Sequence, residues 1–451
     1  MQNEIITLLK EKNLTEARKR LAQLNEADIA ELFDELSNEE IICLFRLLSK
    51  STGAEVFAYL EPDVQQKVIE AMTDKELKEV LDDLHMDDAA DLLEEMPANI
   101  VKRVLQACAP QMRGTLNTLL NYPEDSAGSI MTTEYVDLKR DMTVQQAFDH
   151  IRKTGVDKET IYTCYVINSS RVLEGVVTVR ELLLAAPDAL VGNLMNTHDI
   201  VANTHETRSE VAMKLSKYDL LSIPVVDTEN RLVGIVTFDD AMDVIEEETT
   251  EDIEIMAGMS PSDKPYMKTS VYQIWLKRIP WLLLLMVSAT FTGMIISSFE
   301  DALKVHVVLT SFIPMLMDTG GNSGSQSSVT IIRGLSLGEI EFRDIFRVIW
   351  KEIRISVLCG LALAVVGFLK ILLIDRLLLG NMDISLQVTA VVSITLLATV
   401  VIAKIIGCTL PLVASKIGFD PAVMASPFIT TIVDAVALLI YFAAAKIILG
   451  I

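Results

Sequence analysis

The sequence predicts a multidomain chain: an α-helical superhelical N domain, an α+β pair of repeats, a connecting helix and a five-helix transmembrane domain. Three observations carry this reading. Charge is unevenly spread: the formal charge is −23 over 451 residues, yet residues 1–270 hold 26 Lys+Arg against 51 Asp+Glu, whereas 271–451 hold 13 against 11. An acidic soluble half is thus joined to a nearly neutral apolar half. Within the apolar half, five stretches are long enough to cross about 30 Å of hydrocarbon. Within the acidic half, the segment 130–245 repeats itself at an offset of roughly 60 residues.

Residues 1–128 read as short amphipathic helices, among them "EADIAELFDEL", "VQQKVIEAM", "DKELKEVLDDL" and "NIVKRVLQ", separated by turn and cap residues such as Pro62, Thr73 and Pro97. Helices too short to stand alone suit a superhelix in which each buries its face on its neighbours. His85, beside "MDDAAD", hints at a metal site, but a lone histidine near a helix end is more often a cap or surface residue, and nothing in this part resembles a catalytic constellation.

Residues 129–250 hold the repeats. "SIMTTEYVDLKRDMTVQQAF" is echoed by "NLMNTHDIVANTHETRSEVA", and "LEGVVTVREL" by "LVGIVTFDDA". Each copy reads strand, helix, strand, strand, helix, which marks a resemblance to a CBS-domain pair, a regulatory module. The stretch Gly234–Asp240 is similar to the ribose-contacting pattern of such domains. Thr178, Thr237 and Asp240 are therefore candidate contacts for ATP or another adenine nucleotide, although the first copy carries Glu181 where an aspartate is usual.

The run "DDAMDVIEEETTEDIE" (239–254) carries nine carboxylates. At helical spacing Asp240, Asp243, Glu247, Glu251 and Glu254 return to one broad side, and like charges this close destabilise a helix unless a cation joins them. Residues 251–277 are read as the connecting helix into the membrane.

The transmembrane domain, 278–451, has its spans near 279–299, 305–332, 355–374, 386–413 and 421–449. Lys277, Arg278, Arg333, Arg343, Arg347, Lys351, Arg354 and Lys416 fall on one side, and Lys304 and Arg376 on the other. This bias places the N-terminal domains in the cytoplasm and the C-terminus outside a cell inner (plasma) membrane. No cleaved signal is read at the N-terminus. The five cysteines form no CxxC pair, which argues against a disulfide framework or a thiolate zinc site.

Two spans carry polar residues that apolar surroundings penalise. "FIPMLMDTGGNSGSQ" (312–326) places Pro314 and three glycines at membrane depth, so an irregular backbone is expected there, with Asn322 and Gln326 offering oxygen dipoles to an ion. Close helix packing through small residues explains the glycines equally well. In the last span Asp434 stands amid apolar sequence, where a carboxylate costs roughly 2.5–3.5 kcal/mol on insertion scales. Ser426, Thr430 and Asp434 share one face at i, i+4, i+8, a pore wall in pattern; the alternative is an ion pair of Asp434 with Lys404 or Lys370.

The layout and the stretches "PMLMDTGGNSGSQ", "GFDPAVMASPFITTIVDAVALLIYF", "YDLLSIPVVD" and "VIEEETTEDI" resemble the MgtE family of magnesium transporters and channels. The resemblance implies a homodimer with one pore, lined by the second and fifth spans, in which Asp434 is the pore carboxylate. It implies regulatory Mg²⁺ at Asp87, Asp91, Asp219, Asp240, Asp243, Glu248, Glu251, Asp252 and Asp420, and uptake of Mg²⁺ that intracellular Mg²⁺ shuts off. Ser426 and "DAVA" (434–437) depart from the family's pattern. Mg²⁺ suits such sites because it dehydrates reluctantly and takes a few carboxylates with retained waters; Mn²⁺ and Co²⁺ also accept oxygen ligands. The other classes weighed are an H⁺- or Na⁺-coupled divalent-cation carrier and a membrane-anchored nucleotide sensor. An acidic surface repels nucleic acid, so no such partner is expected, and no enzyme activity is read.

Overall fold

The computed structural model describes residues 2–197, 200–262 and 266–450, with backbone alone at residues 2, 3, 301, 302 and 426. The chain divides into two compact units, Met1–Ile245 and Glu246–Ile451.

The first unit opens with ten α-helices of six to ten residues between Gln2 and Leu119. Helices this short are marginal in water, so tertiary burial must hold them. Ile5, Phe33, Phe57, Leu77 and Leu116 are buried completely or nearly so, and their ends are fixed locally. Thr73, for example, accepts from Glu76 N while Glu76 returns to Thr73 N at 2.7 Å, a reciprocal cap. The same apolar cluster continues through Ala127 and Met131 into Val211, Ile223 and Val236 of the second repeat, so the helical domain and that repeat share one core.

Each repeat has the predicted order. In the first, strand Val136–Leu138 pairs in parallel with Thr163–Ile167, which pairs antiparallel with Leu173–Thr178. In the second, Ala202–Asn203, Ser222–Val226 and Leu232–Thr237 do the same. Fully buried strands suit the runs "TCYVI" and "SIPVV", which have no polar alternation. The repeats join through a 2.7 Å hydrogen bond between Tyr165 OH and Ser222 Oγ and backbone bridges such as Thr132 to Ile235.

The acidic run forms one helix, Phe238–Met256. The described residues of 251–277 do not form one continuous helix, contrary to the connecting helix expected there. The acidic helix ends, Gly258 turns the chain at φ 73°, and a new helix, Val271–Ser298, begins under a Ser270–Gln273 capping box. Left-handed backbone and the proline at 261 both oppose helix continuation.

Among the described residues, four helical stretches are long and apolar enough to cross a membrane: Val271–Ser298, Phe342–Leu378, Leu386–Lys416 and Pro421–Leu449. The expected second span is Ile313–Ser336, preceded by a 3₁₀ turn at Val307–Phe312, so it starts later than 305. Its 24 residues reach about 36 Å at 1.5 Å per residue. The irregular backbone expected at the glycines is absent, because the helix runs unbroken through them. A Cβ on Gly320 would lie 2.7 Å from Thr399 Cγ2, and one on Gly324 2.7 Å from Ile429 Cγ2. A Cβ on Gly407 would run into the Gly324 carbonyl oxygen. The small residues let three helices approach backbone to backbone, the packing alternative of the two. Gly407→Ala should therefore destabilise the membrane unit by the 1–3 kcal/mol typical of overpacking or more, read as a lower midpoint of thermal unfolding in detergent. An unchanged midpoint would contradict this packing.

Candidate ion pathway and acidic clusters

The glycine face of Ile313–Ser336 is buried, so the opposite face carries its polar residues. Asp318, Asn322, Gln326 and Thr330 follow one another at i+4 and are exposed, a single stripe along one side. Asn322 Nδ2 donates to Asp318 Oδ1 at 3.0 Å. Beside this helix runs Ser426–Leu449, whose Ile429 and Val433 are buried against the glycines. Asp434 follows Val433 and is half-buried, and the carboxylate that acts on it electrostatically is Asp318.

The ion-pair alternative for Asp434 does not hold among the described residues. Lys370 lies 2.7 Å from Asp375 Oδ2. Lys404 is buried and donates to Ser327 Oγ at 3.3 Å, while Ser327 donates to Glu352 Oε2 at 2.6 Å. Thr430 shares the Asp434 face, but its hydroxyl donates to the Pro427 carbonyl at 3.0 Å, and its methyl packs on Gly321. The Ser426 side chain lies outside the described residues. The candidate site thus comprises Asp434, Asp318 and Asn322. Asp318 was missed by the sequence reading, although its place four residues before Asn322 signals a shared face.

The acids expected to be regulatory fall into groups. In the first unit Asp87 is buried on the helix Met86–Glu95, near enough to Asp240 and Glu159 to feel their charges. Burial first, then Asp240 and its other acidic neighbours, holds the Asp87 carboxyl well above the ordinary range. Burial pushes Asp88 up to about 6, with His85 opposing it. Asp91, at the open edge of the cluster, rises to about 7, by loss of water first and Asp240 second. Asp240 also reaches about 7 by burial, against the opposing hydrogen bond from Thr237.

Raised carboxyl pKa values mean that ionisation costs this unit stability. Without divalent cation, that stability is full below about pH 4, falls as pH rises, and is lost through about pH 7. Thermal unfolding of the chain between pH 5 and 8 should show this decline in chelator and a flatter profile in millimolar Mg²⁺. Equal slopes in both would separate the cluster from cation binding.

In the second unit the end of the acidic helix meets the membrane helices. Ser336 Oγ donates to Asp252 Oδ2 at 2.9 Å. Ile255 and Met256 pack on Ile332, Ala422 and Ala425. Burial first, and then the negative charge of Asp420, raises the Asp252 carboxyl, with Ser336 and Arg333 opposing. Asp420 accepts from Ala422 N at 2.7 Å and so caps the turn that leads into the Asp434 helix. Of the other expected acids, Asp243 and Glu251 are exposed and Glu248 half-buried on the acidic helix, and Asp219 is exposed on a turn at φ 52°.

The expected nucleotide contacts are engaged within their own repeats. Thr178 Oγ1 donates to Glu181 Oε2 at 2.8 Å, and Thr237 Oγ1 to Asp240 Oδ2. His85 departs from its cap or surface reading. It stands at an N-cap position without capping, and Nδ1 meets Glu134 Oε2 at 2.6 Å and Glu159 Oε2 at 2.9 Å. Those partners lie 49 and 74 residues along the chain, beyond the reach of any local pattern.

A bundle of apolar helices with a carboxylate-bearing polar stripe, attached to a repeat-based acidic sensor, defines a membrane cation transporter with a soluble regulatory part. Comparison with known proteins narrows this. The family described as a divalent cation transporter matches residues 313–444, the MgtE intracellular N domain 24–125, and the CBS domain 127–188 and 191–247. The chain is 35% identical over 445 residues to the magnesium transporter MgtE of Thermus thermophilus, covering 98% of this chain and 97% of that one. It is 35% identical over 439 residues to the magnesium transporter MgtE of Bacillus subtilis, covering 97% and 95%. Among solved structures, the cytosolic domain of the Mg²⁺ channel MgtE in complex with ATP is similar with TM-score 0.52 and 35% identity, over 54% of this chain and all of that one. This chain belongs to the MgtE family.

Proposed function

We propose that this protein conducts Mg²⁺ across the inner membrane into the cell and that intracellular Mg²⁺ closes it. The observation that carries the reading is the half-buried Asp434 on the helix that packs against the glycine face of Ile313–Ser336, whose exposed stripe holds Asp318 and Asn322. Two acids and an amide attract a divalent ion and accept its hydration shell without stripping it. One protomer presents this stripe on an open face, so the pore is closed by a second copy about a two-fold axis, with Ile313–Ser336 as the second of five crossings and the C-terminus outside. A cysteine at position 435 should cross-link between two protomers in membranes.

Regulation follows from the acidic clusters. Empty, Asp87, Asp91 and Asp240 repel, as do Asp252 and Asp420; Mg²⁺ bound among them favours the compact arrangement, a shift toward the state that binds the ligand better. Asp219, Asp243, Glu248 and Glu251 supply further ligands along the acidic helix. The CBS pair takes ATP or another adenine nucleotide through Thr178, Thr237 and Asp240, which requires the two threonine–carboxylate bonds to open. Mg²⁺ entry into liposomes loaded with a Mg²⁺ dye tests transport. Entry should proceed down the Mg²⁺ gradient alone; dependence on an H⁺ or Na⁺ gradient would replace the channel with a coupled carrier.

A further inference from the structure

His85, Glu134 and Glu159 come from three separate places in the first unit and converge on one ring nitrogen. Nδ1 lies 2.6 Å from Glu134 Oε2 and 2.9 Å from Glu159 Oε2. Their ligand atoms all lie within 4.8 Å of one another. The arrangement is held from behind: Glu159 N donates to the Glu134 carbonyl at 3.0 Å, which fixes the two glutamates side by side. It also sits where His85 precedes the helix Met86–Glu95 without capping it.

A single N–H cannot serve both carboxylates. Glu159 Oε2 is shut off from solvent and has no donor aligned on it, and leaving such an oxygen unmatched is costly. A divalent ion in place of the Nδ1 proton satisfies all three groups at once. The choice of ion follows from the imidazole. Mg²⁺ takes oxygen ligands and water, whereas Mn²⁺, Co²⁺ and Zn²⁺ accept nitrogen with carboxylate.

We propose that His85, Glu134 and Glu159 form a second class of cation site, one that binds a transition-metal divalent ion with an imidazole ligand and is chemically distinct from the all-oxygen Mg²⁺ cluster at Asp87, Asp91 and Asp240. The ion displaces the Nδ1 proton, which leaves to solvent, and coordinates Nδ1 with one oxygen of each glutamate, water completing the shell. Because His85 belongs to the helical domain and the glutamates to the first repeat, the ion fastens these parts of the unit together. The sensor would then respond to two kinds of metal.

The test uses the full chain in detergent, with Mn²⁺ added in the presence of a large excess of Mg²⁺. Pulsed electron paramagnetic resonance should detect a ¹⁴N coupling from one directly bound imidazole, saturating at one Mn²⁺ per chain. His85→Gln should abolish the nitrogen coupling, and Glu159→Gln should weaken Mn²⁺ binding about tenfold, while Mg²⁺-dependent protease protection persists in both. Nitrogen coupling that survives in His85→Gln would overturn the proposal. So would Mn²⁺ that Mg²⁺ displaces completely, or binding that never saturates.

Discussion

Asp434→Ala should reduce Mg²⁺ flux about a hundredfold in liposomes while leaving the protein folded. A doubly charged ion a few ångströms from a carboxylate in a partly dehydrated pathway gains at least about 3 kcal/mol from it, and that energy corresponds to roughly two powers of ten. Asp434→Asn keeps an oxygen but not the charge, so it separates coordination from attraction; flux should fall nearly as far as in the alanine variant. Asp318→Asn should have a smaller effect of the same sign, because Asp318 is the exposed outer member and shares its Oδ1 with Asn322. Parental flux in Asp434→Ala, with the variant shown to be correctly inserted, would remove the residue from the pathway.

The second large effect concerns closing. Replacing Asp243, Glu248, Glu251 and Asp252 by amides removes four charges along the helix that ends against Ile332, Ala422 and Ala425. Neutral amides neither repel when empty nor hold Mg²⁺ firmly, so the Mg²⁺-dependent part of the equilibrium is lost. The Mg²⁺ concentration for half-closing should rise by the 5- to 150-fold typical of such couplings, and protection of residues 240–262 from protease should shift with it. Asp252 alone should account for a measurable share, since it contacts Ser336 on the glycine helix and feels Asp420. If closing and protection both persist unchanged, the acids are a solvated face and control lies at the nucleotide-like site.

Much of the architecture was legible because it depends on local periodicity. The repeat order of strand and helix was written in the echo of "LEGVVTVREL" and "LVGIVTFDDA", and the short helices of the N domain in their cap residues. What was not legible depends on distant partners. Gly320, Gly321 and Gly324 left a broken helix and close packing equally open, because glycine lowers helical propensity, while the neighbours that decide for packing, Thr399, Thr430, Ile429 and Gly407, come from helices about 80 to 110 residues away. His85 looked isolated for the same reason. Asp318 was hidden by the glycines beside it: once their face is seen to be buried, the polar stripe opposite becomes the candidate ion-facing side. The break after Met256 was not legible because a positive φ at Gly258 is a conformational choice that glycine permits without requiring.

In the proposed mechanism, Mg²⁺ bound to the acidic clusters shuts a pathway that Asp434 lines. Single-channel recording from the reconstituted protein tests it directly, with Mg²⁺ carrying current from the outer side while Mg²⁺ is raised on the cytosolic side alone. The account predicts that open probability falls through the millimolar range with little change in unitary current, and that the four-amide variant keeps opening at concentrations that silence the parent. Unitary events absent under every condition, with flux tied instead to a proton or sodium gradient, would contradict it.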